Sequence, residues 1–70
     1  MPELMIFNQI RRLRFENGEM TQQELADAVN CTRQTIIALE ANRYSPSLDL
    51  AFRIARVFGK TVDEVFQIQD

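Results

Sequence analysis

The stretch from Thr32 to Asn42 constrains the fold most, because its pattern predicts a short helix with two unlike faces. The hydroxyl of Thr32 can accept a hydrogen bond from an unpaired backbone N–H two or three residues later, which makes this residue a suitable N-cap. Ile36 and Leu39, three residues apart, form one apolar edge. The other face carries side chains that are free to contact something outside the core: Arg33, Gln34 and Ala38.

The length and composition predict one small domain. Seventy residues with 46% hydrophobic content lie near the lower size at which a single core is self-sufficient, so a dimer would help stability. We expect one domain over residues 1–70, with an apolar N-terminal extension over residues 1–7 and a C-terminal tail over residues 67–70. The beginning of the chain lacks the basic start of a signal peptide, and its apolar run is too short for a membrane span, so the expected location is the cytoplasm.

The residue inventory argues against catalysis and cofactors. The single cysteine, Cys31, has no partner for an internal disulfide, and a chain without histidine cannot form the usual Cys/His zinc site. No nucleophile stands beside a base, so we expect neither an enzyme nor a cofactor. Cys31 belongs to an apolar set, which favours a small inert core residue over a redox sensor. The net charge of −2 argues mildly against a nucleic-acid partner, although the placement of basic groups matters more than their sum.

Start and stop signals predict an all-α fold of five short helices that needs no strand. The expected helices span about residues 8–17 (from Asn8 to the stop at Gly18), 22–29, the stretch that Thr32 opens, 48–58, and Thr61 to about Phe66. Two capping boxes, Thr21 with Glu24 and Thr61 with Glu64, mark the starts of the second and fifth helices. The expected inner stripe of the fourth helix consists of Leu48, Ala51, Phe52, Ala55 and Phe58.

Residues 22–41 form a unit in which two short helices are joined by a very brief turn. The small Ala26 lets one helix approach the other closely, and Asn30 tolerates the left-handed conformation that a sharp turn requires. Five apolar residues fix the crossing: Leu25, Val29, Cys31, Ile36 and Leu39. This is the helix-turn-helix arrangement, in which the N-terminal residues of the second helix meet base edges in the major groove.

Further motifs extend beyond this unit. They are Thr21-Gln22-Gln23-Glu24-Leu25-Ala26, Thr32-Arg33-Gln34-Thr35-Ile36, Leu39-Glu40, Asn42-Arg43-Tyr44, Pro46-Ser47-Leu48, Leu50-Ala51 and Ile54-Ala55. With these runs the chain resembles the Cro and phage-repressor (XRE) class of helix-turn-helix transcriptional regulators over about residues 8–66. The resemblance implies a five-helix, lambda-repressor-like domain that binds a palindromic operator in double-stranded DNA as a homodimer. The chain departs from the family pattern at Glu19-Met20, where one residue is usual, and at Asn30, where glycine is usual.

The resemblance also implies a role for individual residues. Arg33 and Gln34 match the base-reading pair and Ala38 a further groove-facing position, while Arg14 and Glu40 match a structural ion pair. Contacts to the DNA backbone are implied for Gln22, Thr32, Thr35, Asn42, Arg43 and Tyr44. Independently of the resemblance, arginine can bond guanine O6 and N7, glutamine can bond adenine N6 and N7, and alanine can meet a thymine methyl group.

Several assignments have a second interpretation. Tyr44 is either a phosphate ligand or a side chain packed on the fourth helix, and Ile37 is either half-buried or in contact with a partner. The remaining helix arginines are solvated charges more often than phosphate ligands: Arg11, Arg12, Arg53 and Arg56. The terminal apolar residues are expected at a dimer interface. For the whole protein, a repressor or autoregulator is the preferred interpretation, with an antitoxin of the same fold or a protein-interaction module without DNA binding as alternatives.

Overall fold

Five helices and two short terminal strands make up residues 5–69, the part of the chain that the computed structural model describes. The elements are β1 (Met5–Asn8), α1 (Ile10–Glu16), α2 (Gln22–Val29), α3 (Arg33–Glu40), α4 (Leu48–Phe58), α5 (Val62–Val65) and β2 (Phe66–Gln69). The expected five helices are confirmed, and the bounds of α2 and α4 agree with their prediction. Of the predicted terminal extension and tail, residues 1–4 and 70 lie outside the described part.

The prediction that no strand is needed was wrong. β1 and β2 pair antiparallel, with Ile6 opposite Ile68 and Phe7 opposite Gln67. Phe66, expected in the last helix, has extended backbone (φ −117°, ψ 135°) and opens β2 instead. The pairing joins segments from the two ends of the chain, and short apolar runs do not show by local periodicity whether they are strand or helix.

Asn8 lies in β1 and fastens this strand to the helices, although its sequence pattern suggested a helix cap. Its Oδ1 accepts from the Ile10 N–H at 3.2 Å, so it still serves the start of α1, which begins two residues later than predicted. Its Nδ2 donates to the Leu39 carbonyl at 2.7 Å and to Asn42 Oδ1 at 3.2 Å. The terminal sheet is thereby tied to the end of α3.

The core forms where one face of each helix meets the others. Its largest fully buried side chains are Ile10, Leu25, Val29, Ile36, Leu39, Ile54 and Val65. The predicted stripe of α4 was partly wrong, because Leu48 is 73% exposed and Phe52 is 57% exposed, whereas Leu50 and Ile54 are buried. Both faces of α4 carry apolar residues at helical spacing, so packing against the other helices selects between them.

Side-chain hydrogen bonds hold the starts of α2 and α5. The Thr21 hydroxyl accepts from the Glu24 N–H at 3.0 Å, and Glu24 Oε1 accepts from the Thr21 N–H at 2.8 Å. The Thr61 N–H donates to Glu64 Oε1 at 2.9 Å. These backbone hydrogen bonds favour the ionised carboxylates and lower the pKa of both Glu24 and Glu64 from the ordinary value of 4.5.

The two lowered pKa values predict a contribution to acid sensitivity. A carboxyl group whose pKa is lower in the folded state adds stability above its unfolded pKa and loses it as the pH falls below 4.5 through the folded value. We expect the Glu24→Gln/Glu64→Gln variant to lose less stability on acidification than the unsubstituted protein, as measured by urea unfolding at several pH values. The control is Glu19→Gln, and equal losses for all three proteins would contradict the prediction.

Candidate nucleic-acid interface

The start of α3 projects polar side chains while its other edge is buried. The Thr32 hydroxyl accepts from the Thr35 N–H at 3.2 Å, which caps the helix as its sequence predicts. Ile36 and Leu39 are 0% and 1% exposed, so they anchor the helix in the core. Arg33 and Gln34 are exposed on the first turn, and Ala38 and Ile37 are half-buried further along. Two of the three candidate base-reading residues, Arg33 and Gln34, therefore lie at the accessible end of a helix that the core anchors.

The candidate backbone-contacting residues lie at the two ends of α3 and, for Gln22, at the start of α2. Thr32, Asn42, Arg43 and Tyr44 are exposed, and Gln22 and Thr35 are half-buried. Asn42 has a positive φ of 58°, and the Arg43 N–H returns to the Ala38 carbonyl at 3.0 Å, which closes the end of the helix. Tyr44 is 46% exposed, so much of its side chain remains accessible to a ligand.

A nearly buried ion pair joins α1 to α3. Arg14 Nε lies 2.6 Å from Glu40 Oε2, and Arg14 Nη2 donates to Glu40 Oε1 at 3.0 Å. Both side chains are only 10% exposed. The Gln22 amide also donates to Glu40 Oε1, at 3.2 Å, so the first residue of α2 shares the network. This bidentate arrangement fixes the relative positions of the first three helices.

The longer connection between α1 and α2 is held by the same arginine. Arg14 Nη1 donates to the Met20 carbonyl at 2.7 Å, and the Met20 N–H donates to the Arg14 carbonyl at 2.9 Å. Gly18 and Glu19 both have positive φ, 71° and 54°, which accommodates the additional residue. Asn30 adopts the predicted left-handed conformation, with φ 59° and ψ 50°. Both departures from the family pattern are therefore compatible with docked helices.

Sequence reasoning missed the structural role of Arg53. Its Nη1 donates to the Val29 carbonyl at 3.0 Å, where the last carbonyls of α2 need donors. Its guanidinium also pairs with Asp49 one turn earlier on α4. The i,i+4 spacing of Asp49 and Arg53 was the available signal, but it gave no indication of the contact with α2.

Arg12 forms an exposed ion pair with Glu16 at 3.7 Å, as expected for a solvated helix charge.

Cys31 is half-buried and packs against the core, in agreement with its place in the apolar set. Desolvation raises the pKa of its thiol above the ordinary value, although the positive charge of Arg53 opposes the shift. The thiol is consequently protonated and weakly nucleophilic at neutral pH.

Across residues 5–69, no cluster of three or more histidine, cysteine, aspartate or glutamate side chains could hold a metal ion. No helix in this range is long and apolar enough to cross a membrane.

Comparison with known sequences identifies helix-turn-helix proteins as relatives of this chain. The family model for helix-turn-helix proteins matches residues 10–65. An uncharacterized HTH-type transcriptional regulator of Methanothermobacter thermautotrophicus is 55% identical over 62 residues, covering 87% of this chain and 88% of the relative. A second uncharacterized HTH-type transcriptional regulator, from Archaeoglobus fulgidus, is 48% identical over 61 residues, which cover 87% and 86% of the two chains.

Solved structures have a similar arrangement of helices. The clp gene regulator ClgR from Corynebacterium glutamicum is 27% identical, with a TM-score of 0.71 over 79% of this chain and 57% of that one. A Bacteroides fragilis protein gives a TM-score of 0.76 over 90% of this chain and 100% of that one, and its 22% identity makes this a likeness of fold alone. The family is one of DNA-binding transcriptional regulators and not an enzyme family. The chain belongs to the XRE-type helix-turn-helix family of transcriptional regulators.

Proposed function

We propose that this protein is a repressor or autoregulator that binds a palindromic operator as a homodimer and reads bases in the major groove with α3. The observation that carries the proposal is the exposure of Arg33 and Gln34 at the first turn of a helix whose opposite edge is buried. In a helix-turn-helix, N-terminal residues of the second helix contact base edges. The family supports DNA binding, and the position of these side chains supports their assignment as the base readers.

The chemistry of the exposed face suits duplex DNA. A guanidinium can donate two hydrogen bonds to guanine O6 and N7, and a carboxamide can donate to and accept from adenine, so Arg33 and Gln34 suit neighbouring purines. Ala38, half-buried one turn later, leaves room for a thymine methyl group. The polar residues at both ends of α3 would contact phosphates and set the depth of the helix in the groove. Specificity then depends on Arg33, Gln34 and Ala38.

Duplex binding is tested directly by fluorescence anisotropy with a labelled fragment from upstream of the coding sequence. We expect saturable binding that survives excess unrelated duplex and weakens as salt rises, because each phosphate contact releases condensed counterions. If the duplex shows no change in anisotropy even at low salt, while a pull-down with this protein captures a protein partner, the proposal is contradicted and the protein-interaction alternative is favoured.

The second subunit of the proposed homodimer would dock on an apolar groove beside the terminal sheet. The groove has a volume of about 520 Å³ and is lined by residues including Ile6, Pro46, Leu48, Val62, Phe66 and Ile68. Ile6 and Ile68, which are opposite each other in the sheet, are 38% and 63% exposed, and Leu48 is 73% exposed. An apolar patch of this kind on a small domain is typical of an interface, and a two-fold dimer would match a palindrome.

Replacing two apolar residues of this groove with lysine tests the dimer. The Leu48→Lys/Ile68→Lys variant is expected to sediment as a monomer at a concentration where the unsubstituted protein is a dimer, because four like charges would meet across a two-fold interface. Ala28→Lys, on the exposed outer side of α2, is the control for added charge and should remain dimeric. A monomeric unsubstituted protein, with or without DNA, would contradict the proposed interface.

A further inference from the structure

A groove between α1 and the helix-turn-helix brings an arginine of the first helix beside the base-reading helix α3. It has a volume of about 690 Å³ and is lined by side chains from α1, the start of α2 and α3. Three arginines reach it, Arg11, Arg14 and Arg33, together with the carboxylate Glu40. Because Arg14 and Glu40 neutralise each other in their ion pair, Arg11 and Arg33 leave the groove positively charged. This contrasts with the net charge of −2 of the whole chain.

Neither Arg11 nor Arg33 forms an ion pair among the described residues. Arg12, the neighbour of Arg11, is by contrast paired with Glu16. The other polar side chains that line the groove are uncharged amides and a hydroxyl, from Gln22, Gln23 and Thr21. The groove therefore contains two cations without a carboxylate partner among residues 5–69, Arg11 on α1 and Arg33 on the base-reading helix, which suits an anionic ligand.

The guanidinium of Arg11 lies over an aromatic ring. Its central carbon is 5.9 Å from the centroid of the Phe15 ring, one helical turn further along α1, and the central carbon of Arg14 is 5.7 Å from the same centroid. Phe15 is 53% exposed and also lines the groove, so the ring contributes little to the core. A cation above an aromatic face is attracted by the ring quadrupole, and a guanidinium ordered in advance loses less entropy when it binds.

We propose that Arg11, ordered on Phe15, binds a backbone phosphate of duplex DNA in this groove, beside the base pairs that Arg33 reads. The inference rests on the proposed function, since Arg33 shares the groove and contacts DNA only if α3 enters the major groove. A phosphodiester supplies the negative charge that the groove lacks, and its oxygens accept charge-assisted hydrogen bonds from a guanidinium. The first helix is thus part of the DNA-binding surface and not only a support for it.

The salt dependence of binding tests the role of Arg11. With a labelled mixed-sequence duplex, Arg11→Gln should reduce the slope of log K against log salt by about 0.9 per subunit. When the salt concentration is lowered from 200 to 50 mM, the ratio of the binding constant of the unsubstituted protein to that of the variant should therefore rise by roughly 3.5-fold per subunit, or roughly twelvefold for a dimer. Arg11→Lys keeps the charge and should restore the slope.

Two further variants separate this contact from general effects. Lys60→Gln removes the same charge in a different groove, lined by Leu13, Glu16 and Phe58, and should leave the slope unchanged. Phe15→Leu keeps the cation but removes the ring, so affinity should fall at every salt concentration by roughly two- to fivefold with the slope preserved. Because Arg14 also lies over this ring, the effect belongs to Arg11 only if Phe15→Leu costs no further affinity when it is added to Arg11→Gln.

The outcomes distinguish this inference from the proposed function. If the unsubstituted protein binds no duplex at low salt, the proposed function fails. If it binds and Arg11→Gln has the same slope, or Lys60→Gln lowers the slope equally, the phosphate contact is overturned while DNA binding stands. An unchanged affinity of Phe15→Leu would overturn the role of the ring.

Discussion

Replacing Glu40 with alanine lowers the free energy of unfolding by about 3–5 kcal/mol, because it leaves the charge of Arg14 without its partner in a nearly buried site. Arg14 would retain the Met20 carbonyl as an acceptor, but a neutral carbonyl does not replace a carboxylate that accepts from two of its nitrogens. Urea unfolding followed by circular dichroism measures the loss. For a domain of this size such a loss is a large fraction of the total stability.

The double variant Arg14→Met/Glu40→Leu is the informative control. It removes both charges and fills the site with apolar groups, so its stability should lie much closer to that of the unsubstituted protein than that of Glu40→Ala. A loss of less than about 1 kcal/mol in Glu40→Ala would contradict the assignment, because exposed pairs are worth about that amount.

Replacing Arg33 with alanine removes preference at one base position of each half-site and costs about 1–3 kcal/mol of discrimination, since a bidentate contact to a purine is lost. The side chain is exposed, so the fold should be unaffected. Competition binding with duplexes that vary one base pair at a time measures the change. Base preference that is unchanged in Arg33→Ala would show that the base-reading assignment is wrong.

Arg43→Ala is the matched comparison, because it also removes one exposed arginine close to α3. As a backbone contact, Arg43 should support binding to all sequences alike, and its loss should flatten the salt dependence by about one phosphate contact per subunit. Discrimination between bases should remain. If the two variants behave identically, the division between base-reading and backbone-contacting residues is wrong.

The features that the sequence predicted well are those determined by neighbouring residues. Thr32 and Thr21 have a free hydroxyl at the right distance from unpaired N–H groups, so their helix starts follow from local chemistry. Asn30 tolerates a left-handed backbone, which places the turn between α2 and α3. The apolar edge of α3 follows from three-residue spacing. Together these fix the helix-turn-helix and leave Arg33 and Gln34 exposed.

The features that the sequence did not predict depend on residues distant along the chain. The pairing of Ile6 with Ile68 joins the two ends of the chain. Neither segment is next to a turn motif that would indicate its strand partner. Leu48 and Phe52 have the spacing of a buried stripe, but packing buries Leu50 instead. Arg53 was treated as a surface charge because its acceptor, the Val29 carbonyl, belongs to another helix. Such contacts become visible only when the helices are docked.

Selection of bound duplexes from a random pool tests the central claim most directly. We expect an enriched motif of two inverted half-sites whose centres lie about one helical turn, roughly 34 Å, apart. In the selection with the Arg33→Ala protein, the preference at one position of each half-site should be lost. A selected pool without any enriched motif would contradict sequence-specific reading by α3, as would the same motif enriched by the Arg33→Ala and Gln34→Ala proteins.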